Sequence, residues 1–414
     1  MRQWLVVATL ALAGCRPGVK TGGGPYADKV AEDVPKIEQA LGVKFKTPPR
    51  IEIRSRDEVR DFLLRKVREP AAAKDIANEE ITYTLLGMLP DTMHLSDFFV
   101  RVLTEQILGY YDPKTKVLYI VQGAPDDYVG ITIMHELVHA LQDQYANLDS
   151  LEALSGDDDR AAAIQAVIEG QAMYEQMYIM AGGSGNLAAQ LPGGWESIRS
   201  SIRENMQNQP VFSSAPMVIR EGLLFPYING ADFVRRFKAQ RPGRLPLNEL
   251  PVSTTQIMHD SAYFGAKPEL PVSITLPSIP GTVEQNDFGE FGTRLFIFQH
   301  TKDQDESIRA AGGWAGDRYA LVKTASGYAL AWVTVWNTPG DAAEFMAALD
   351  DVMQHRYFVK PAITGEQRHF ETRTRTVDVD VRDIGGKPAV LYVDVPAGSS
   401  THIIDFSQVT VAPQ

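Results

Sequence analysis

The chain has one cysteine, Cys15, among 414 residues. No disulfide can form within it, so in an exported protein the fold must rest on its core, and on a metal if one is bound. Positive charge is also scarce. Against 52 Asp and Glu stand 40 Lys and Arg, leaving a formal net charge of -12. Nucleic acid is thereby excluded as a general partner, because phosphate binding needs a basic surface. The apolar run Trp4–Ala13 is too short to span a bilayer and reads as a signal-peptide core. No internal repeat is visible, and no low-complexity tract beyond a Gly- and Pro-rich stretch after Cys15. What remains is ordinary globular composition, 44% apolar and 22% charged, with enough chain for two or three domains and large cores.

The apolar run ends in Leu-Ala-Gly-Cys at 12–15, which resembles the bacterial lipobox. The resemblance implies that residues 1–14 are a signal peptide and that Cys15 is acylated, anchoring the protein to a membrane of the cell envelope. Arg16 follows Cys15 where an acidic residue would mark inner-membrane retention, so in a diderm host the outer membrane is favoured. Residues 15–24 read as a flexible tether.

Apolar residues at helical spacing, Val30, Val34, Ile37 and Leu41, open the globular part. Alternation at 50–55 predicts a strand, and helices follow over about 56–73 and 76–88. A hairpin turns at Asp112–Thr115, with a second strand over 116–121 rich in β-branched and aromatic residues. Helices are expected over about 126–146 and 158–180, and most of 182–243 is helical. Proline is frequent over 242–280, suggesting an irregular wrapping segment. Beyond 289 the pattern changes. Strands are expected over 328–336 and 389–395, a helix over 339–357, and a hairpin around Gly385-Gly386. The fold class is α+β, with one domain over 25–284 and a smaller α+β domain over 285–414.

The chemistry is concentrated in His135-Glu136-Leu137-Val138-His139. On a helix, positions i and i+4 share a face, so both imidazoles can reach one ion at about 2.0–2.1 Å. Glu136 is rotated about 100° from His135, too far to be an easy ligand but near enough to act on a water held by the metal. Ile131, Met134, Val138, Leu141 and Tyr145 form one apolar stripe, with Ile133, Leu137 and Ala140 a second, so the helix is expected to be buried. Buried imidazoles need partners. Glu169 sits in another helix otherwise built of Ala, Ile, Val and Met, where an acid needs a cation. Gly170 weakens that helix, which is reasonable if a close approach to the helix of the two histidines is required there. Glu175 is the competing ligand. Asp143, one turn after His139, is a candidate to steady that ring.

The stretch "HELVHALQD" with "AVIEGQAMYE" resembles the thermolysin-like zinc metallopeptidases, the gluzincins. The resemblance implies a zincin-like domain holding one zinc ion through His135, His139 and Glu169, with Glu136 as general base on zinc-bound water. It also implies a later His or Tyr that stabilises the developing oxyanion, for which His259 is the candidate. In gluzincins an edge strand beside the metal pairs with the substrate, and 116–121 stands in the corresponding place. The metzincin pattern would need a Gly and a third His soon after His139, and neither is there. The segments "LFPYINGADFV", "PVSTTQIMHDSAY" and "AAGGWAGDRYALV" further resemble exported bacterial lipoproteins that carry the same His-Glu motif. That likeness names no substrate.

Two functions compete. One is a zinc metalloendopeptidase acting on a peptide or protein substrate. The other is an envelope lipoprotein with a structural or vestigial metal site, serving as a binding or assembly module. A purely structural site needs no glutamate beside the first histidine, so Glu136 favours the enzyme.

Overall fold

The computed structural model describes residues 26–152, 156–183 and 194–413. Cys15, the signal-like run and the tether lie outside these residues. No described helix is long and apolar enough to cross a membrane.

Helix α1 (Ala27–Leu41) leads into strand β1 (Arg50–Arg54) and helices α2 (Arg56–Val67) and α3 (Pro70–Leu85). The break between α2 and α3 falls earlier than the expected 73–76 because Pro70, with its fixed φ and no N–H, suits the first turn of a new helix. Helix α4 (Leu95–Gln106) is an addition to the expected elements. It buries Leu95, Phe98, Phe99, Val102 and Leu103. Strands β2 (Gly109–Asp112) and β3 (Val117–Val121) form the expected hairpin. Helix α5 (Asp126–Ala146) carries the two histidines, the short α6 (Leu148–Glu152) follows, and α7 (Asp158–Met180) carries Glu169.

The strand over 116–121 is not an edge strand. The three-stranded sheet has the order β1-β3-β2, with β1 parallel to β3. All five residues of β3 are buried, as a central strand apolar on both faces requires. Helix α1 packs over α5 and α7, with Ile37 fully buried against the group that holds Leu137, Val138 and Ala172.

Helices α8 (Gly194–Gln207), α9 (Pro210–Ser213) and α10 (Met217–Phe225) follow. A π-helical turn over Pro226–Gly230 joins α10 to α11 (Ala231–Gln240). Pro226 brings no N–H to the ladder, and widening the helix accommodates it. Two short helices, α12 (Thr254–Met258) and α13 (Asp260–Phe264), come next. The Pro-rich segment is less irregular than expected, since it contains β4 (Val272–Thr275), which pairs with the C-terminal β12 (Thr410–Pro413).

The remaining chain forms an antiparallel sheet in the order β5-β6-β7-β11-β10-β9-β8. Its strands are β5 (Thr282–Asn286), β6 (Trp314–Thr324), β7 (Gly327–Trp336), β8 (Ala362–Thr364), β9 (Gln367–Glu371), β10 (Arg375–Ile384) and β11 (Lys387–Pro396). Helices α14 (Gly289–Thr301), α15 (Gln304–Ala311) and α16 (Pro339–Tyr357) belong to the same part. Gly385 and Gly386, at φ +65° and +80°, make the two-residue turn between β10 and β11. One hydrophobic core runs through both halves of the chain, from Leu86 and Phe225 to Trp332 and Phe345. Two side chains tie the halves further. His300 donates to Leu86 O at 2.8 Å, and Arg356 donates to Leu85 O, so both satisfy carbonyls at the end of α3.

Candidate metal centre

Helices α5 and α7 lie against each other and bring His135, His139 and Glu169 together. One ligand atom from each lies within 4.8 Å of the other two. Glu169 Oε2 stands 3.4 Å from His135 Nε2 and 3.5 Å from His139 Nε2. These separations exceed the ~2.9 Å of a good N–H···O bond. His139 Nε2 is buried and has no hydrogen-bond partner among the described residues. Glu136 is fully buried beside them.

The other face of each imidazole is fixed. His135 Nδ1 donates to Gln176 Oε1 at 3.0 Å, and His139 Nδ1 donates to Gln142 Oε1 at 2.8 Å. An amide oxygen can only accept, so each Nδ1 carries a proton and each Nε2 faces Glu169. Gln142 is itself oriented, because its Nε2 donates to Ile168 O and to Gln171 Oε1, both at 3.0 Å. Gln165 Nε2 donates to the second oxygen of Glu169, also at 3.0 Å.

The electrostatics favour positive charge between these groups. Burial disfavours ionisation of His139, yet the charges of Glu169 and Glu136 push it up to about 9. Burial works against Glu169 in turn, yet His139 and His135 hold it down at about 2. A carboxylate that draws a proton onto a buried histidine has a place for a cation. Two imidazoles and one carboxylate are a donor set suited to zinc. The residues present fit a metal ion.

Helix packing sets the position of Glu169. A Cβ on Gly170 would fall 2.1 Å from Gly230 C, and one on Gly230 would fall 2.0 Å from Ala166 O. The close approach expected at Gly170 is therefore made to the π-helical turn and not to α5. The same turn sets Tyr227 with its ring centroid 6.4 Å from that of His135.

Other candidates lie elsewhere. The place beside His139 that the sequence assigns to Asp143 is taken by Gln142. Asp143 accepts instead from Tyr111 and Lys116, each at 2.7 Å, and from Leu148 N at 3.0 Å. Its carboxyl is committed to the β2–β3 hairpin and the start of α6. Glu175 faces Lys238 Nζ at 2.6 Å, and burial, opposed by that lysine, raises it to about 7. His259 Nε2 lies 2.7 Å from Glu290 Oε1, and among the described residues none of its hydrogen bonds or ring contacts reaches the three-residue cluster. Sequence reasoning missed Gln142, Gln176 and Tyr227. Gln176 stands seven residues after Glu169, on the same face of α7, and that spacing was a usable signal.

A protein-family model described as a domain of unknown function, DUF8575, matches residues 276–401, beyond the histidines and Glu169. No curated protein matches the chain. A crystal structure from Chloroflexus aurantiacus, described as a "putative hydrolase with a novel fold", is similar at 22% identity with a TM-score of 0.35. The match covers 57% of this chain and 86% of that one.

Proposed function

We propose that the protein is a zinc-dependent peptidase with a zincin-like centre. The observation that carries this reading is the buried His135–His139–Glu169 cluster with Glu136 directly after the first histidine. Its assignment to the gluzincin type rests on the sequence resemblance and on a third ligand that is a glutamate from a later helix.

Zinc held by His135, His139 and Glu169 would supply Lewis acidity, bringing the pKa of a bound water to about 7. The chain's own residues do the rest. Gln142 and Gln176 keep both Nε2 lone pairs turned inward. Glu136 takes a proton from the attacking water and returns it to the leaving amine. Tyr227 is better placed than His259 to donate to a developing oxyanion, since it stands beside His135.

One observation favours the second reading, a structural metal site. His135, Glu136 and Glu169 are 0% exposed and His139 is 1% exposed. Metal content and peptide turnover of the Glu136→Gln and Glu169→Gln variants separate the two. On the peptidase reading Glu136→Gln keeps zinc and fold but loses nearly all hydrolysis, whereas Glu169→Gln loses zinc. Full hydrolysis by Glu136→Gln would overturn the mechanism. A zinc-loaded wild type that cleaves nothing in a broad peptide library would leave the structural reading.

We place the protein at the cell envelope, lipid-anchored through Cys15, on the strength of the Leu12–Cys15 stretch. Mass spectrometry of the mature N-terminus tests this, and an unmodified Cys15 would overturn it.

A further inference from the structure

Each ligand of the metal-binding cluster is held from behind by a glutamine amide. Gln176 and Gln142 hold the two imidazoles, and Gln165 holds Glu169. The third contact decides something the other two do not. An imidazole has a single nitrogen left for a metal once Nδ1 is engaged. A carboxylate has two oxygens, and one or both can bind.

Glu169 Oε2 is the oxygen that faces the histidines, 3.4 Å from His135 Nε2 and 3.5 Å from His139 Nε2. Oε1 accepts from Gln165 Nε2 at 3.0 Å. Donor and acceptor stand four residues apart on α7, so the helix itself stacks one side chain over the other. The acceptor is a carboxylate oxygen, and such a bond is stronger than one between neutral groups. Gln165 also stands at the wall of a cavity of about 50 Å³, beside Phe225, Pro226 and Phe291. Among apolar walls the bond is electrostatically stronger than it would be in water. The backbone beneath is pinned as well. Ala166 follows Gln165, and a Cβ on Gly230 would fall 2.0 Å from its carbonyl oxygen. That crossing keeps α7 from sliding, so Gln165 and Glu169 keep their places.

The protein then turns three atoms toward a metal: the two Nε2 atoms and Oε2. Structural zinc sites are closed by four protein ligands, whereas sites that activate water keep one position free. Released from Gln165, Glu169 would be free to close with both oxygens and take that position. Resting on the peptidase reading, we propose that Gln165 is a positioning residue, which holds Glu169 to a single metal-facing oxygen and so keeps one coordination position open for water.

The test uses the full chain with cobalt(II) in place of zinc, because the visible bands of cobalt report its coordination geometry. Gln165→Met keeps the length and bulk of the side chain and removes the donor. The bands of the wild type should be intense, as for four ligands, and should lose about half of that intensity or more in Gln165→Met. Azide, a small anion that needs a free position, should bind the variant at least about tenfold more weakly. A role in packing alone would move neither reading, since methionine fills the same space. Melts of the metal-free chain show whether the variant folds, and Gln165→Ala is a second variant from which the same losses are expected. Equal spectra and equal azide affinity in wild type and a folded variant overturn the proposal. Loss of the fold in both variants overturns it too, because Gln165 would then be needed for the helix packing itself.

Peptide turnover by the zinc form separates this proposal from the reading beneath it. With the proposal upheld, kcat of Gln165→Met falls by about 10- to 100-fold while KM changes little. Unchanged cleavage by Gln165→Met overturns the proposal and leaves the peptidase reading intact. A wild type that shows the cobalt and azide responses but cleaves no peptide upholds the open position and overturns the peptidase reading. A wild type that binds cobalt in a closed form, indifferent to azide, overturns both.

Discussion

At the scale of single residues, the amides matter as much as the ligands. Gln176 fixes the tautomer of His135 through a 3.0 Å bond. Replacing it with leucine keeps the volume but frees the ring to rotate and to protonate at either nitrogen. Zinc affinity of Gln176→Leu should fall by about 10- to 100-fold, measured by competition with a chelator, while the melting curve of the metal-free chain changes little. A second residue makes a pH test. Burial lowers His300 to about 4 even though it donates to Leu86 O. An unfolded histidine titrates near ~6.5, so between about pH 4 and 6.5 the unfolded chain binds the extra proton. The stabilisation is therefore fully present above about pH 6.5 and is lost as pH falls toward 4. Its size is of the order of 2–3 kcal/mol. Denaturant melts at both ends of that window should show the loss, and His300→Gln should reduce it. The histidines and Glu136 were legible in sequence because two imidazoles one turn apart in an apolar helix need a shared partner. Gln142 was not, because an amide on a helix is ordinary until its partner is known, and Gln176 carried only its seven-residue spacing from Glu169 as a signal. Asp143 misled for a related reason, since its spacing is right while its partners are Tyr111 and Lys116 of the preceding hairpin and the backbone of Leu148.

At the scale of elements, the crossing of α7 with the π-helical turn holds the third ligand. Adding a methyl at Gly230 drives it to within 2.0 Å of Ala166 O, a backbone atom that cannot rotate away. Gly230→Ala should lower stability by about 3 kcal/mol or more and release zinc along with it. The measurements are a thermal melt and metal content of the folded fraction. A variant that melts like wild type with full zinc would show that the crossing adjusts freely. The helices α5 and α7 were readable from their periodicity, and so was the hairpin at Gly385-Gly386. Helix α4 carries a readable apolar face and was overlooked. The pairing of β1 with β3 was beyond reach, because it depends on contacts between distant segments.

At the scale of the molecule, the two halves depend on one another. The first N–H groups of α7 are held by the second half of the chain: Asp158 N donates to Asn286 Oδ1 at 3.0 Å and Asp159 N to Asp287 Oδ1 at 2.8 Å. Phe225 and Phe291 meet with ring centroids 4.1 Å apart. A chain cut after residue 284 loses these caps, opens the shared core and leaves the end of α3 without His300 and Arg356. It should bind a hydrophobic dye and aggregate, and should not hold zinc as a free-standing domain. Size-exclusion chromatography with metal analysis checks this, and a soluble, zinc-loaded monomer would count against it.

The position of β1 has a consequence for how quickly the fold is reached. Strands β2 and β3 are neighbours in sequence and can pair early. Strand β1 reaches β3 only after α2, α3 and α4 have closed the loop between Arg50 and Val117. That parallel pairing is non-local and is expected to form late. Until it happens one edge of β3 stays open, with its N–H and C=O groups available to another copy of the chain. Refolding yield should therefore fall with protein concentration, and mutations in β1 should slow refolding.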